Sequence, residues 1–187
     1  MTNGLKAAAE FMSVSARTAP KSAGQDFVVI EVIEGEALKT LARAMLEFGE
    51  RTGKPNFDRD AANVWDSEAV LLVGIKDGRA PGLNCGTCGA EQCIAINTHE
   101  GEFKGPQCAF RLLDMGIAIG SAVRTAGMLT IDNRIMYSAG VAAREIGMID
   151  ADFVMGIPLS VTGKNFYFSR RAEFHETAMG RALGVSE

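Results

Sequence analysis

The chain has 187 residues, 47% of them hydrophobic, which is enough apolar material for one domain with a buried core. Its formal net charge is −4, and its basic residues are spread along the sequence instead of forming one run. We therefore expect neither nucleic acid nor a membrane surface as a main partner. No apolar stretch approaches the length that spans a bilayer, and the N-terminal residues lack a signal-sequence pattern, so we expect a cytoplasmic protein.

Hydrophobic periodicity predicts helices that alternate with strands in a single domain, residues 1–187. The stretch "EAVLLVGIK" is apolar almost throughout, which is typical of a strand buried on both faces. The predicted elements, in chain order, are a helix at 5–18, a strand at 26–33, a helix at 36–53, a short helix at 57–67, a strand at 68–76, helices at 109–129 and 133–147, a strand at 151–159, and a terminal helix or arm at 172–187.

All four cysteines of the chain belong to one pattern, C-x2-C-x4-C-x14-C, which follows the buried strand. They are Cys85, Cys88, Cys93 and Cys108. A cubane iron–sulfur cluster needs four thiolates at four corners, three from a tight loop and one from elsewhere in the chain. The pattern therefore predicts a [4Fe-4S] cluster bound by the segment 83–108.

The residues around the cysteines suit this chemistry. Gly86 and Gly89 can adopt positive φ angles, which turn backbone N–H groups towards inorganic sulfide. Cys108 directly precedes a predicted helix, whose N-terminus favours the negative charge of a thiolate.

Two other interpretations of the cysteines remain open. Tetrahedral zinc also takes four cysteines, and His99 could replace Cys108 as the fourth ligand in the spacing C-x2-C-x4-C-x5-H. A thiol or disulfide redox site is the second alternative, although disulfides are disfavoured in a reducing cytoplasm.

Several stretches extend the cysteine motif to nearly the whole chain. They are "SARTAPKSAG", "CGTCGAEQCIAINTHEGEFKGPQC", "GPQCAFRLLDMGIAIGSAV", "DNRIMYSAGVAAREIG" and "GIPLSVTGKN". Together they resemble a family of uncharacterised prokaryotic proteins described as containing a ferredoxin domain. The resemblance implies a protein that binds an iron–sulfur cluster, and it leaves the reaction open.

A partial resemblance concerns other segments. "SARTAPKSAGQDFVVIEV", "DMGIAIGSAVRTAGML" and "REIGMIDADFVMGIPL" are similar, in the same order, to segments of flavin nitroreductases. This resemblance implies an α+β fold, a nitroreductase-like α/β sandwich that carries the cysteine loop. It also implies dimerisation through long helices, with flavin mononucleotide (FMN) as an additional cofactor at the dimer interface.

Two groups of residues are candidates for binding a flavin or another anion. Arg17, Lys21 and Ser22 follow the first helix, where cations also simply stabilise a helix C-terminus. Lys164 and Asn165 lie in "SVTGKN", which lacks the second glycine and the hydroxyl of a P-loop and is compatible with an ordinary turn.

The long helix after the last cysteine bears on assembly. Its small residues in "GIAIGSAVRTAG" allow another backbone to approach closely, which predicts a homodimer or close packing on the core. We expect Arg111 and Asp114 on this helix to be surface or interface charges.

The predicted function is therefore an iron–sulfur redox protein that transfers electrons to a partner protein or an organic cofactor, which includes a flavin-dependent oxidoreductase. The alternative is a non-catalytic structural or sensing module that holds zinc or a cluster. No catalytic acid or base and no redox partner can be identified from the sequence.

Overall fold

The structure, a computed structural model, describes residues 2–169 and residue 180, so the predicted C-terminal helix or arm, except residue 180, lies outside the described residues. The elements are α1 (Asn3–Thr18), β1 (Val28–Glu34), α2 (Glu36–Thr52), α3 (Phe57–Asp66), β2 (Ala69–Ile75), α4 (Ala109–Met128), β3 (Asp132–Asn133), α5 (Tyr137–Glu145) and β4 (Phe153–Ser160). None of the helices in this part of the chain is both long enough and apolar enough to cross a membrane.

The strands form one open antiparallel sheet in the order β1-β2-β4-β3. Every residue of the central strand β2 is buried, as its apolar sequence predicts. Ile75, at the end of β2, pairs with Val28 at the start of β1 and with Phe153 at the start of β4. These three residues lie at one end of the strands, where the chain leaves β2 towards the cysteines. We call it the site end of the sheet.

Helices cover both faces of the sheet. Because side chains alternate along a strand, Leu71 and Val73 of β2 face one way and pack with α1 and α4. Val70 and Leu72 face the other way and pack with α2, α3 and α5. The result is a sandwich of helix, sheet and helix, which agrees with the predicted fold class.

The sequence predicts a single helix over 133–147, and this prediction is wrong for residues 133–136. Asp132 and Asn133 form β3, which pairs with the end of β4. Met136 and Gly156 then exchange backbone hydrogen bonds of 2.7 and 3.0 Å. These bonds to β4 hold the chain extended, so α5 begins only at Tyr137.

Candidate metal centre

All four cysteines line one cavity at the site end of the sheet. Cys85, Cys88 and Cys93 are exposed, whereas Cys108 is partly buried. The other lining residues are mostly apolar and include Pro81, Leu83, Ile94, Ile96 and Phe110. The structure thus brings the last cysteine to the three that precede it in the chain.

The first three cysteines lie in a loop that its own hydrogen bonds close. The amide of Asn84 lies 3.4 Å from the Cys93 sulfur, and the amide of Cys93 donates to Oδ1 of Asn84 over 2.9 Å. Gly86 and Gly89 have φ angles of 71° and 88°, the left-handed conformation that glycine adopts readily. The positive φ angles expected from the sequence are therefore present.

Thr87 lies between the first two cysteines and acts on one of them. Hydrogen bonds with Thr87 lower the pKa of the Cys85 thiol from its ordinary value; the bond with the Thr87 side chain has the larger effect and the bond with its backbone the smaller. A lower pKa favours the thiolate, which is the form that ligates metal.

Cys108 occupies the position directly before α4. Its carbonyl oxygen accepts hydrogen bonds from the amides of Arg111 and Leu112, at 3.0 and 3.1 Å, which begin the helix. Cys108 therefore lies beside the free N–H groups of the first turn of α4.

A short hairpin returns the chain from Cys93 to Cys108. The backbones of His99 and Gly105 exchange hydrogen bonds of 2.8 and 2.9 Å, and the amide of Asn97 donates to the Pro106 carbonyl over 3.2 Å. His99 is exposed and is not among the residues that line the cysteine cavity. This arrangement favours Cys108 over His99 as the fourth ligand.

Arg111 and Asp114, expected to be surface or interface charges, are buried within the chain, so that expectation is wrong. Arg111 is 1% exposed, and its guanidinium donates to Asp114 at 3.0 Å and to the carbonyl of Arg79 at 2.8 Å. It also donates to the carbonyl of Ser22 and the side chain of Gln25, at 3.0 and 2.6 Å. The pair is buried because it shares the inward face of α4 with the helix's buried apolar residues.

The first group of candidate anion-binding residues makes contacts within the chain. Arg17 donates to Asp26 at 2.7 Å, and Lys21 donates to carbonyl oxygens at the end of α1. Burial, the largest effect, lowers the pKa of Lys21 from its ordinary value. The amide and hydroxyl of Ser22 donate to Asp114 at 2.8 and 2.7 Å. These groups cap and brace the turn after α1.

The second group lies at the opposite end of the sheet. Asn165 donates to Asp132 of β3 at 3.0 Å and accepts from the amide of Tyr167 at 3.1 Å. Lys164 is exposed beside it. Since Arg17 contacts the start of β1, one chain does not bring the two groups into one site.

Asp152 is a residue of this region that the sequence analysis did not identify. Its carboxylate is fully buried and accepts hydrogen bonds from the amide of Asp77 and the side chain of Asn97. The available sequence signal was weak: a single acidic residue at the start of an apolar strand.

The donor set fits an iron–sulfur cluster. Among the described residues, no three His, Cys, Asp or Glu side chains are grouped so that they could hold one metal ion. A cubane cluster carries one thiolate on each of its irons, and tetrahedral zinc takes the same type of ligand. Four thiols around one largely apolar cavity are the ligands that such a cluster uses.

Part of the chain matches a known sequence family. Residues 104–170 match the family described as "Uncharacterized protein containing a ferredoxin domain (DUF2148)", a range that includes Cys108 and begins after the other three cysteines. A protein from Archaeoglobus fulgidus, described as "Uncharacterized protein", is 51% identical over 170 residues, which cover 89% of this chain and 92% of the relative.

Solved structures with a similar fold are flavoproteins and nitroreductase-like proteins. An oxidoreductase containing FMN is 17% identical with a TM-score of 0.55, covering 92% of this chain and 74% of its own. A nitroreductase-like family protein from Bacillus cereus is 13% identical with a TM-score of 0.54, covering 92% and 82%. The FMN-dependent nitroreductase NfnB from Mycobacterium smegmatis is 14% identical with a TM-score of 0.54, covering 97% and 82%. At these identities the likeness establishes the fold alone, and it confirms the nitroreductase-like sandwich.

Proposed function

Because this chain belongs to the family of proteins described as containing a ferredoxin domain, we propose that it is an iron–sulfur redox protein. Cys85, Cys88, Cys93 and Cys108 bind a [4Fe-4S] cluster, which when bound supplies single-electron transfer. The observation that carries the proposal is that these four cysteines line one cavity, although 14 residues separate the last two.

The protein's own groups prepare the thiols for this role. Hydrogen bonds from Thr87 favour the thiolate form of Cys85. Most of the other residues that line the cavity are apolar. The exposed side of the loop, at Cys85, Cys88 and Cys93, is where electrons enter and leave. A reducing cytoplasm keeps such thiols free, and we place the protein there.

FMN is the organic cofactor that we propose as an electron acceptor, because the neighbours of similar fold include FMN proteins. The side chains of Arg17, Lys21, Ser22 and Asn165 all have partners within the chain, so we assign no step to them. Flavin released on denaturation, measured by its fluorescence, tests this part of the proposal separately from the cluster.

The cluster itself is tested on protein purified without oxygen. We expect about four irons and four acid-labile sulfides per chain, with broad visible absorption that dithionite bleaches. Cys108→Ser should lose the cluster but keep its fold, because the core packs without metal. His99→Ala is the matched control and should retain the cluster, since His99 lies outside the cavity lining.

The structural-zinc alternative predicts different results. Wild-type protein would then contain stoichiometric zinc without sulfide, and Cys108→Ser would lose thermal stability with no reducible absorption to lose. That combination would contradict the redox proposal.

A further inference from the structure

One buried carboxylate accepts hydrogen bonds from the chain before the first cysteine and from the chain after the third. We call these two stretches, which contain residues 77 and 97, the arms of the cysteine segment. Oδ2 of Asp152 accepts from the amide of Asp77, before the first cysteine, over 2.5 Å. The same oxygen accepts from Nδ2 of Asn97, after the third cysteine, over 2.8 Å. Asp152 is 0% exposed, so water does not compete for these bonds.

The backbone of Asp152 adds two further bonds. Its amide donates to the carbonyl of Ile75, the last residue of β2, over 2.7 Å. Its carbonyl accepts from the amide of Lys104, just before the last cysteine, over 2.8 Å. A single residue thus connects the sheet to the chain before the first cysteine, at position 77, and after the third, at positions 97 and 104.

The hydrogen bonds continue from Asp152 to the residue beside Cys108. Oδ1 of Asn97 accepts from Nε2 of Gln107 over 2.5 Å, and the same nitrogen donates to the carbonyl of Lys104 over 2.9 Å. Gln107 directly precedes Cys108. The Asp152 carboxylate is thus linked, through the side chains of Asn97 and Gln107, to the residue before the fourth cysteine.

Two lysine ammonium groups lie near this carboxylate and balance its negative charge. Its other oxygen, Oδ1, lies 3.9 Å from the ammonium groups of both Lys76 and Lys104. In the part of the chain that the structure describes, this oxygen has no hydrogen-bond partner. Asp150 forms a 2.7 Å ion pair with the same Lys76, but its side chain is 86% exposed and bonds no part of the cysteine segment in that description.

We propose that Asp152 is a positioning residue for the metal centre: it fixes the two arms of the cysteine segment so that Cys108 faces the other three ligands. This proposal rests on the proposed function, because it assigns Asp152 a role in holding the cluster. Residues that orient metal ligands in this way commonly change metal affinity about 10- to 100-fold when they are replaced.

The test compares Asp152→Ala and Asp152→Asn with Asp150→Asn, after anaerobic reconstitution with ferrous iron and sulfide. Asp152→Ala loses both side-chain bonds, and we expect cluster lifetime in air to fall about tenfold. The amide oxygen of Asp152→Asn can still accept these bonds, so this variant should recover most of the lifetime. The electron paramagnetic resonance spectrum of the reduced cluster should shift in Asp152→Ala and stay unchanged in Asp150→Asn.

A second measurement works on metal-free protein. The amides of His99 and Gly105, which close the hairpin, should exchange hydrogen faster in Asp152→Ala, while the amides of β2 should not. If Asp152→Ala does not fold, Asn97→Ala, which removes the side chain that links Asp152 to Gln107, is compared with Asp150→Asn: an altered spectrum in Asn97→Ala alone supports the proposal, and no difference refutes it.

The outcomes separate the two proposals. If wild type binds the cluster and the Asp152 variants match it in lifetime, spectrum and exchange, Asp152 has no positioning role and the proposed function stands. If wild type binds no cluster, the proposed function fails and so does the role of Asp152 in it. Faster exchange in Asp152→Ala would then show only that Asp152 anchors a loop without a cluster.

Discussion

Arg111 shows at the level of a single residue how a buried charge can join distant parts of the chain. Its guanidinium bonds the Arg79 carbonyl, just before the cysteine segment, and the Ser22 carbonyl in the turn after α1. Its charge is balanced by Asp114, which is also buried. This side chain therefore contacts the chain just before the cysteine segment and the turn after α1, and it joins both to α4.

Replacing Arg111 should destabilise the protein strongly. Arg111→Ala leaves the Asp114 carboxylate buried without its cation, and we expect the free energy of unfolding to fall by about 3 kcal/mol. Denaturant unfolding of metal-free protein measures this loss. Arg124→Ala, at an exposed position on the same helix, is the control and should stay within about 0.5 kcal/mol of wild type. Equal stability of the two variants would show that the buried pair contributes little.

Sequence identified the four cysteines that line the cavity, but it did not identify the buried residues that bond the chain around them. The cysteines share a short spacing pattern that few kinds of site require. Asp152 lies 44 residues beyond Cys108, and its role depends on donors at Asp77 and Asn97 that only the folded sheet brings to it. Arg111 and Asp114 had a usable signal, because their spacing of three residues places them on the same helical face as Met115 and Ala118.

At the level of elements, the close packing of α5 on β4 depends on a glycine. A Cβ built at Gly140 would meet the carbonyl group of Val154, 2.7 Å from its carbon, and lie 2.9 Å from the Cα of Met155. Both obstacles are backbone atoms, which cannot rotate away as a side chain can. The helix could accept a methyl group here only by moving off the sheet.

We therefore expect Gly140→Ala to lower the free energy of unfolding by about 3 kcal/mol, the upper part of the range for overpacking. Gly4→Ala in α1 is a matched helical control, because a Cβ there meets nothing within 4 Å. That variant should be neutral or more stable by up to about 1 kcal/mol, since alanine loses less backbone entropy than glycine. Thermal or denaturant unfolding compares them. A stable Gly140→Ala would mean that α5 shifts on the sheet at little cost.

The elements that sequence predicted well are those whose pattern is local. The period of apolar residues and the C-terminal Gly53 define α2, and an unbroken apolar run defines β2. The two-residue strand β3 has no local pattern, because it exists through pairing with the end of β4. Its absence from the prediction is also why the start of α5 was placed too early.

At the scale of the whole molecule, α4 has one face in the core and one face without cover in the described chain. Ala118 and Ala122 pack inside against the layer that contains α1. Outside, Leu113 is 55% exposed and Ile117 is 39% exposed, and a Cβ added at Gly120 meets nothing within 4 Å. The inner face of α4 thus packs in the core, and Leu113, Ile117 and Gly120 form an exposed apolar stripe on its outer face.

We propose that this stripe is where two copies of the chain associate, because an exposed apolar helix face with glycine gaps permits close helix–helix contact. Ile117→Arg places a charge in the stripe without entering the core, so light scattering should give a folded monomer for this variant and a dimer for wild type. Glu47→Arg is the control and should remain dimeric, because Glu47 is an exposed residue of α2, on the other face of the sheet. A monomeric wild type over the accessible concentrations would refute this interface, and a dimeric Ile117→Arg would place the contact on another surface. Because the cysteine cavity is lined by residues of one chain, the monomeric variant should still bind its cluster, which separates assembly from metal binding.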